Sequence, residues 1–381
     1  MENKNIIILG GYGNFGKRIT ENLLDLPNVT IFISGRSLDK AIDQCAQFSL
    51  LKPTVQMKPA KLDIQSSTFK QELSCLKPFL VIHTGGPFQG QDYTVPQVCI
   101  DAGSHYIDLA DDRRFVCDIN RLNSAAKENN VLVVSGASSV PGLSSTVVDY
   151  YLPQFEQLKS IDFAISPGNK AERGEATIKA ILSYTGHPFK VLRNKEWINV
   201  FGWGESRKRG FGGSIGSRWL ANIDIPDLEL FPNRYPSAET VHFQAGLEVS
   251  LLHHGMSLMS KIVQLKLVKN WAPLTKWIVK GSELLLPFGT DDGCMQMTLK
   301  GIGKNGKPLQ IDWTLFAKNG VGPYIPIIST IILAKKLVKQ SIHKTGAMAC
   351  QGMYSIDEFD HYARQWGIFH SEESCEPKDI R

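Results

Sequence analysis

Apolar residues first gather in a short run from Asn5 to Leu9, which leads into Gly10-Gly11-Tyr12-Gly13-Asn14-Phe15-Gly16 and then into a stretch with Phe15, Ile19, Leu23 and Leu26 on one helical face. A second run follows at Thr30 to Ser34. Later runs reach Leu62-Asp63, Phe79 to His83, Tyr106 to Leu109 and Val131 to Ser135, with helical periodicity between them. Strands alternating with helices predict a doubly wound parallel sheet of the Rossmann kind, whose ligands lie beyond the carboxyl ends of the strands. From Ile161 the rhythm changes. Alternation at Ile161, Phe163 and Ile165 marks a strand, a helix follows at Glu175 to Tyr184, and strands return near Trp197 to Trp203 and Thr240 to Ala245. Met295, Met297 and Leu299 then face Leu309, Ile311, Trp313 and Leu315 across Asn305-Gly306, the pattern of a hairpin. This half predicts an α+β domain with a largely antiparallel sheet. Helical runs at Ile327 to Leu337 and Ile356 to Trp366 follow it.

Length agrees with two cores, since 381 residues exceed what one core holds. With 43% hydrophobic and 21% charged residues, the chain reads as folded and soluble, neither disordered nor multiply membrane-spanning. A formal charge of +5, read as mild and spread along the chain, gives no reason for a nucleic-acid partner but favours anionic small molecules. The seven cysteines are scattered, with no C-x-x-C pair and no histidine at zinc-ligand spacing, which predicts a reduced cytoplasmic setting and no metal site. A strand that starts within a few residues of Met1 leaves no room for a secretory signal.

The chemistry concentrates where strands end. In G-x-G-x-x-G, Gly11 makes the tight turn, Gly13 lets backbone approach a pyrophosphate and Gly16 lets the helix pack on the strand. Tyr12, Asn14 and Phe15 fill the loop, and the helix start supplies an anion site. Glycines also collect in plain loops. Here the preceding strand, the following helix and the second strand supply the context of a dinucleotide site. After that second strand stands Ser34-Gly35-Arg36-Ser37, where an NAD site usually places an acid. Arg36 can bind a 2′-phosphate and Ser37 can add a hydroxyl donor, which favours NADP(H); in the alternative, Arg36 is a surface charge and Asp39 takes the acidic role. Asp63 is placed to reach the adenine amine. Thr84, Gly85, Pro87 and Phe88 would run close to the ribose and nicotinamide. Asp111 and Asp112 bring carboxyls to the same rim as candidate proton donors, or else cap the next helix and pair with Arg113 or Arg114.

Gly10 to Gly16, Ser34-Gly35-Arg36, Thr84-Gly85-Gly86-Pro87-Phe88 with Tyr93, Cys99 and Gly103, Tyr106-Ile107-Asp108 and Val140-Pro141-Gly142 together resemble the saccharopine dehydrogenase-like (saccharopine reductase-type) family. The resemblance is strong over the first 145 residues and diffuse beyond them, apart from Gly322-Pro323-Tyr324-Ile325-Pro326 and Gly346-Ala347. It implies an NADP(H)-binding Rossmann domain, an α+β second domain, frequent homodimerisation and chemistry on carbon–nitrogen bonds. It also implies that the chain returns to the nucleotide domain near its end. The expected division is therefore 1–145 with 326–370 returning, 146–325 as the substrate and dimerisation domain, and a loose polar tail over 371–381. Members often carry Gly-Glu after the Tyr-x-Asp strand, whereas this chain has Asp111-Asp112, so substrate contacts do not carry over at that corner.

In the second domain, Arg207-Lys208-Arg209 precedes Gly210-Phe211-Gly212-Gly213 and reads either as a mobile loop in which Arg207 and Arg209 capture a substrate anion, or as a solvated turn. Arg173 and Arg218 are comparable candidates. His253-His254 lacks a third metal ligand. The apolar stretch from Leu247 to Phe288 carries Lys261, Lys266, Lys269, Lys276 and Lys280 with Trp271 and Trp277. It reads as a dimer interface or lid in preference to a peripheral membrane contact. The functional expectation is an NADP(H)-dependent oxidoreductase moving hydride to or from a small molecule. The alternative is a non-catalytic NADP(H)-binding redox sensor or membrane-associated scaffold.

Overall fold

The structure, a computed structural model, describes residues 3–172 and 174–375. It divides into two compact units, one built from residues up to 143 together with 326–354, the other from 144–325 together with those from 355 onward.

The first unit is a parallel sheet of β1 (Lys4–Leu9), β2 (Val29–Gly35), β3 (Gln56–Lys61), β4 (Leu80–His83), β5 (His105–Asp108), β6 (Leu132–Ser135) and a later strand, β15 (Gly346–Ala349). Its order is β15-β6-β5-β4-β1-β2-β3. Both faces are covered by helices, so β1, β4 and β6 are apolar at most positions, and Ile6, Ile7 and Ile8 are fully buried. On one face Ile7, Leu9, Val81, Tyr106 and Val133 pack with Val98 and Cys99 of the helix Thr94–Asp101. The strand order reverses between β1 and β4. Their carboxyl ends therefore splay apart and open the crevice in which such sheets bind ligands.

The second unit is built on β7 (Phe155–Ser166), β8 (Pro188–Arg193), β9 (Glu196–Phe201), β10 (Arg207–Gly212), β11 (Gly216–Asn222), β12 (Thr240–Ala245), β13 (Gly293–Gly303), β14 (Pro308–Ala317) and β16 (Phe369–Cys375). The order β10-β11-β12-β7-β13-β14-β16, with β8 paired to β12 and β9, is antiparallel except for the parallel step between β12 and β7. The hairpin stands in the register expected from its alternation, with Met295 opposite Leu315, Met297 opposite Trp313 and Leu299 opposite Ile311.

Two expectations at the end of the chain are corrected. The segment joining the first unit stops at Tyr354; the helix Ile356–Ala363 and β16 belong to the second. Residues 371–375, expected in a loose tail, form a strand on β14 with Glu372 opposite Trp313, while 376–381 lie outside the described residues. The exposed polar side chains of β16 give no hydrophobic signal. The strand forms because the outer edge of β14 offers unpaired backbone donors and acceptors.

Candidate functional site

The glycine loop at the end of β1 is held from three sides. The Gly10 and Gly11 amides both donate to the Ser34 carbonyl of β2, each at 2.9 Å, and the Gly13 amide donates back to the Gly10 carbonyl at 2.8 Å. Thr84, just past β4, donates its hydroxyl to the Leu9 carbonyl at 2.8 Å and so ties the two lips of the crevice together. Gly10 has φ +78°, a conformation open chiefly to glycine. A Cβ on Gly16 would lie 2.7 Å from Gly11 Cα, and one on Gly13 would lie 3.0 Å from the Gly10 carbonyl oxygen. The helix Asn14–Glu21 thus starts flush against the loop, with the first-turn amides that a helix leaves unbonded available to an anion.

At the end of β2, Tyr12 lies on Gly35, where a Cβ would come within 2.6 Å of its ring, and its hydroxyl accepts the Ser37 amide at 3.0 Å. Arg36 follows at the surface with no hydrogen bond or ion pair to any described residue. No acid occupies that strand end. Ser37 caps the helix Leu38–Ser49 by accepting the Lys40 amide, which leaves its hydroxyl hydrogen to donate elsewhere. A surface cation beside a glycine cradle and an unacidic strand end suit a 2′-phosphate.

Other expected contacts have local structural duties. Asp63 accepts the Gln65 amide at 3.1 Å in a tight turn. Asn14 receives the Arg18 guanidinium, and Phe15 is half-buried. Phe88 is buried against the rings of His83 and Phe115, at 4.9 and 5.2 Å, so it braces the Thr84–Pro87 segment from inside. Gln91 escaped sequence reasoning: its amide donates to the carbonyls of Gly85 and Pro87, at 3.0 and 2.7 Å, and fixes the segment's shape. Nothing in its sequence surroundings marks it.

Past β5, Asp112 caps the helix Arg113–Cys117 through the Phe115 amide at 2.8 Å, in line with the capping alternative. Asp111 instead accepts the Gln89 side-chain amide at 3.2 Å, and burial raises its carboxyl above the usual aspartate value. Beneath them Asp108, another residue without a sequence-derived role, accepts Ala110 N, Gly136 N and Ser135 Oγ at 2.8–2.9 Å, joining the ends of β5 and β6. Its other carboxylate oxygen is buried without a partner, and burial pushes its pKa up to about 6.

His83 is fully buried, with Nδ1 2.9 Å from the Tyr106 hydroxyl and Nε2 unpartnered. Burial lowers its pKa to about 4. Because the folded value lies below the unfolded one, its contribution to stability is complete above about pH 6.5 and is lost as pH falls towards 4, to the extent of about 3 kcal/mol. Asp108 opposes it, since a raised carboxyl adds stability at low pH that is lost as pH climbs through 6. Urea unfolding at pH 6.5 and 4.5 is expected to show a smaller acid-induced loss in His83→Gln than in the parent. An unchanged loss would mean that His83 is already protonated in the fold.

In the second unit the expected mobile loop at Arg207 to Gly213 is corrected: Arg207 to Gly212 form β10. Arg207 and Arg209 both bind Asp162 of β7, at 2.8 and 3.1 Å, and Arg209 also reaches Gln296 and Thr298 of β13. Burial would raise the Asp162 carboxyl, but the His242 hydrogen bond and the two guanidiniums hold it well below the usual aspartate value. These arginines join strands. Arg218, unlike them, is buried, and it too is fully engaged, while Arg173 lies outside the described residues. His253 packs beside Trp203 with Nε2 3.1 Å from the Ser206 hydroxyl.

Residues 6–134 match the family described as the saccharopine dehydrogenase NADP binding domain. No curated protein matches the chain. Among solved structures, the apo histidine-tagged saccharopine dehydrogenase (L-Glu forming) from Saccharomyces cerevisiae is similar over 98% of this chain and 100% of its own, with 14% identity and a TM-score of 0.69. An amine dehydrogenase from Mycobacterium smegmatis aligns over 92% of this chain and 95% of its own, with 10% identity and a TM-score of 0.44. The yeast likeness is one of fold, and it extends that fold to nearly the whole chain.

Proposed function

We propose that the chain, whose residues 6–134 match the saccharopine dehydrogenase NADP binding domain, is an oxidoreductase of that type that moves hydride between NADP(H) and the carbon of a carbon–nitrogen bond in a small molecule. The observation that carries the reading is the cradle of Gly10 to Gly16 with the unpartnered Arg36 beside it. When bound, NADPH supplies the hydride. The loop amides and the helix start would hold its pyrophosphate, Arg36 and Ser37 its 2′-phosphate, and the Thr84–Pro87 segment would line the nicotinamide side. Asp111 is the residue to give the substrate nitrogen its proton: the Gln89 amide donates to Oδ1, and burial raises the carboxyl above the usual aspartate value.

Calorimetric titration at fixed salt is expected to show tighter binding of NADPH than of NADH, and turnover is sought next with imines and amino acids. Binding of neither dinucleotide overturns the whole reading. Binding of NADPH without turnover of any imine, ketone or amino acid overturns the catalytic part alone. Once a substrate is in hand, Asp111→Asn is expected to lower kcat roughly 100-fold or more while leaving the NADPH Kd unchanged. Full activity in that variant would remove Asp111 from the proton path.

A further inference from the structure

We infer that the outer face of residues 250–288 is a docking surface for an anionic lipid bilayer. The helix Ser250–Gln264 buries His253, Met256, Ser260 and Val263 against its own unit, with the Ser260 hydroxyl donating to the Gly202 carbonyl at 2.7 Å. Its opposite face would ordinarily be polar. Instead Leu251, Leu258 and Leu265 stand on it at intervals of seven residues, all exposed. The Trp271 indole donates to the Met259 carbonyl at 3.0 Å and folds the next segment against this helix. There the helix Thr275–Glu283 turns Trp277 outward, 74% exposed, followed by Leu284 at 78% and Phe288 at 74%. Soluble proteins seldom leave so many large apolar side chains exposed within one short segment unless the segment meets a partner surface.

Charge selects the occupant. The segment holds five lysines, Lys261, Lys266, Lys269, Lys276 and Lys280, all exposed, and one acid, Glu283. The segment therefore carries a local net charge of +4 in the same stretch as the exposed leucines and Trp277. A second copy docked face to face would set this excess against itself, which disfavours the dimer interface that the sequence pattern suggested. An anionic bilayer satisfies both features, accepting leucines and tryptophan at the headgroup boundary while attracting the lysines. Among the described residues no helix is long and apolar enough to cross a membrane, so the contact is peripheral.

The test is co-sedimentation of the full chain with vesicles of phosphatidylcholine alone and of phosphatidylcholine containing about 30% phosphatidylglycerol. Binding to the anionic vesicles is expected at about 0.05 M salt and is expected to fall sharply at about 0.5 M. Each lysine changed to glutamine should lower partitioning roughly fivefold at low salt. The triple change Leu258→Ser, Trp277→Ser and Leu284→Ser should abolish binding with an unchanged melting temperature, because these side chains point away from the core. Failure to bind anionic vesicles, or equal binding to phosphatidylcholine alone, overturns the inference. So does a parent chain that is dimeric in solution and becomes monomeric on the triple change, since the patch would then be an interface between copies.

Discussion

Arg36→Ala is expected to weaken NADPH binding roughly 10- to 150-fold while changing NADH binding little, the range corresponding to about 1.5–3 kcal/mol for hydrogen bonds to a charged group. The expectation rests on what Arg36 does not do within the fold. It is exposed, it binds no described residue, and its strand end is set by other means: Tyr12 seated on Gly35, and the Ser37 amide on the Tyr12 hydroxyl. Its removal should therefore leave the strand end intact and delete only a positive charge beside the cradle. Calorimetry with both dinucleotides on parent and variant separates the outcomes. Equal losses for NADPH and NADH would mean that Arg36 meets a part common to both, and the 2′-phosphate assignment would fall.

The nucleotide unit was legible because its signals are local. A glycine loop between a strand and a helix is fixed by backbone geometry: a Cβ on Gly13 or Gly16 would press on the loop itself, and Gly10 has a positive φ and faces Thr84. The same holds for Arg36, visible as the missing acid at the end of β2. Gln91, His83 and Asp108 were not legible, because their partners are set by the fold. Gln91 grips two carbonyls of a loop whose path no pattern specifies, and Asp108 receives donors from β6, more than twenty residues away. Phe88, at the end of the same glycine segment, packs against the rings of His83 and Phe115, contacts that its sequence surroundings do not specify.

The second unit was less legible for a physical reason. Its sheet has one apolar face and one on which Asp162, Arg207, Arg209, Gln296 and Thr298 bind one another across β7, β10 and β13. Arginines near glycines in sequence look like a loop, and only the cross-strand carboxylate reveals them as sheet residues. β16 was hidden more completely, since its strand character belongs to the edge of β14 rather than to its own side chains.

Arg218 separates structural from functional arginines most sharply, and Arg218→Met is expected to destabilise the second unit by about 3–5 kcal/mol, the usual consequence of removing one partner from a buried ion pair. Its side chain is 3% exposed. Nη1 donates to the carbonyls of Ser166 and Pro167, at 3.1 and 3.0 Å, and Nη2 to Glu248 and the Asp292 carbonyl, at 3.2 and 2.9 Å. Glu248 in turn accepts the Asn169 and Thr290 amides, at 2.7 and 2.9 Å, so one ion pair gathers the chain after β7, after β12 and before β13. Burial would raise the Glu248 carboxyl; donors from Thr290 and Asn169 and the Arg218 charge reverse this and hold it below the usual glutamate value. Its stabilising contribution is therefore present above about pH 4.5 and lost as pH falls below it. In Arg218→Met the carboxylate remains buried without its cation, and Arg218→Met with Glu248→Gln should recover part of the loss. Urea unfolding of parent, single and double variants measures this, with NADPH affinity expected to be unchanged because the cradle belongs to the other unit. A single variant that keeps its stability but raises KM for a substrate would return Arg218 to the substrate-capturing role that its sequence position first suggested.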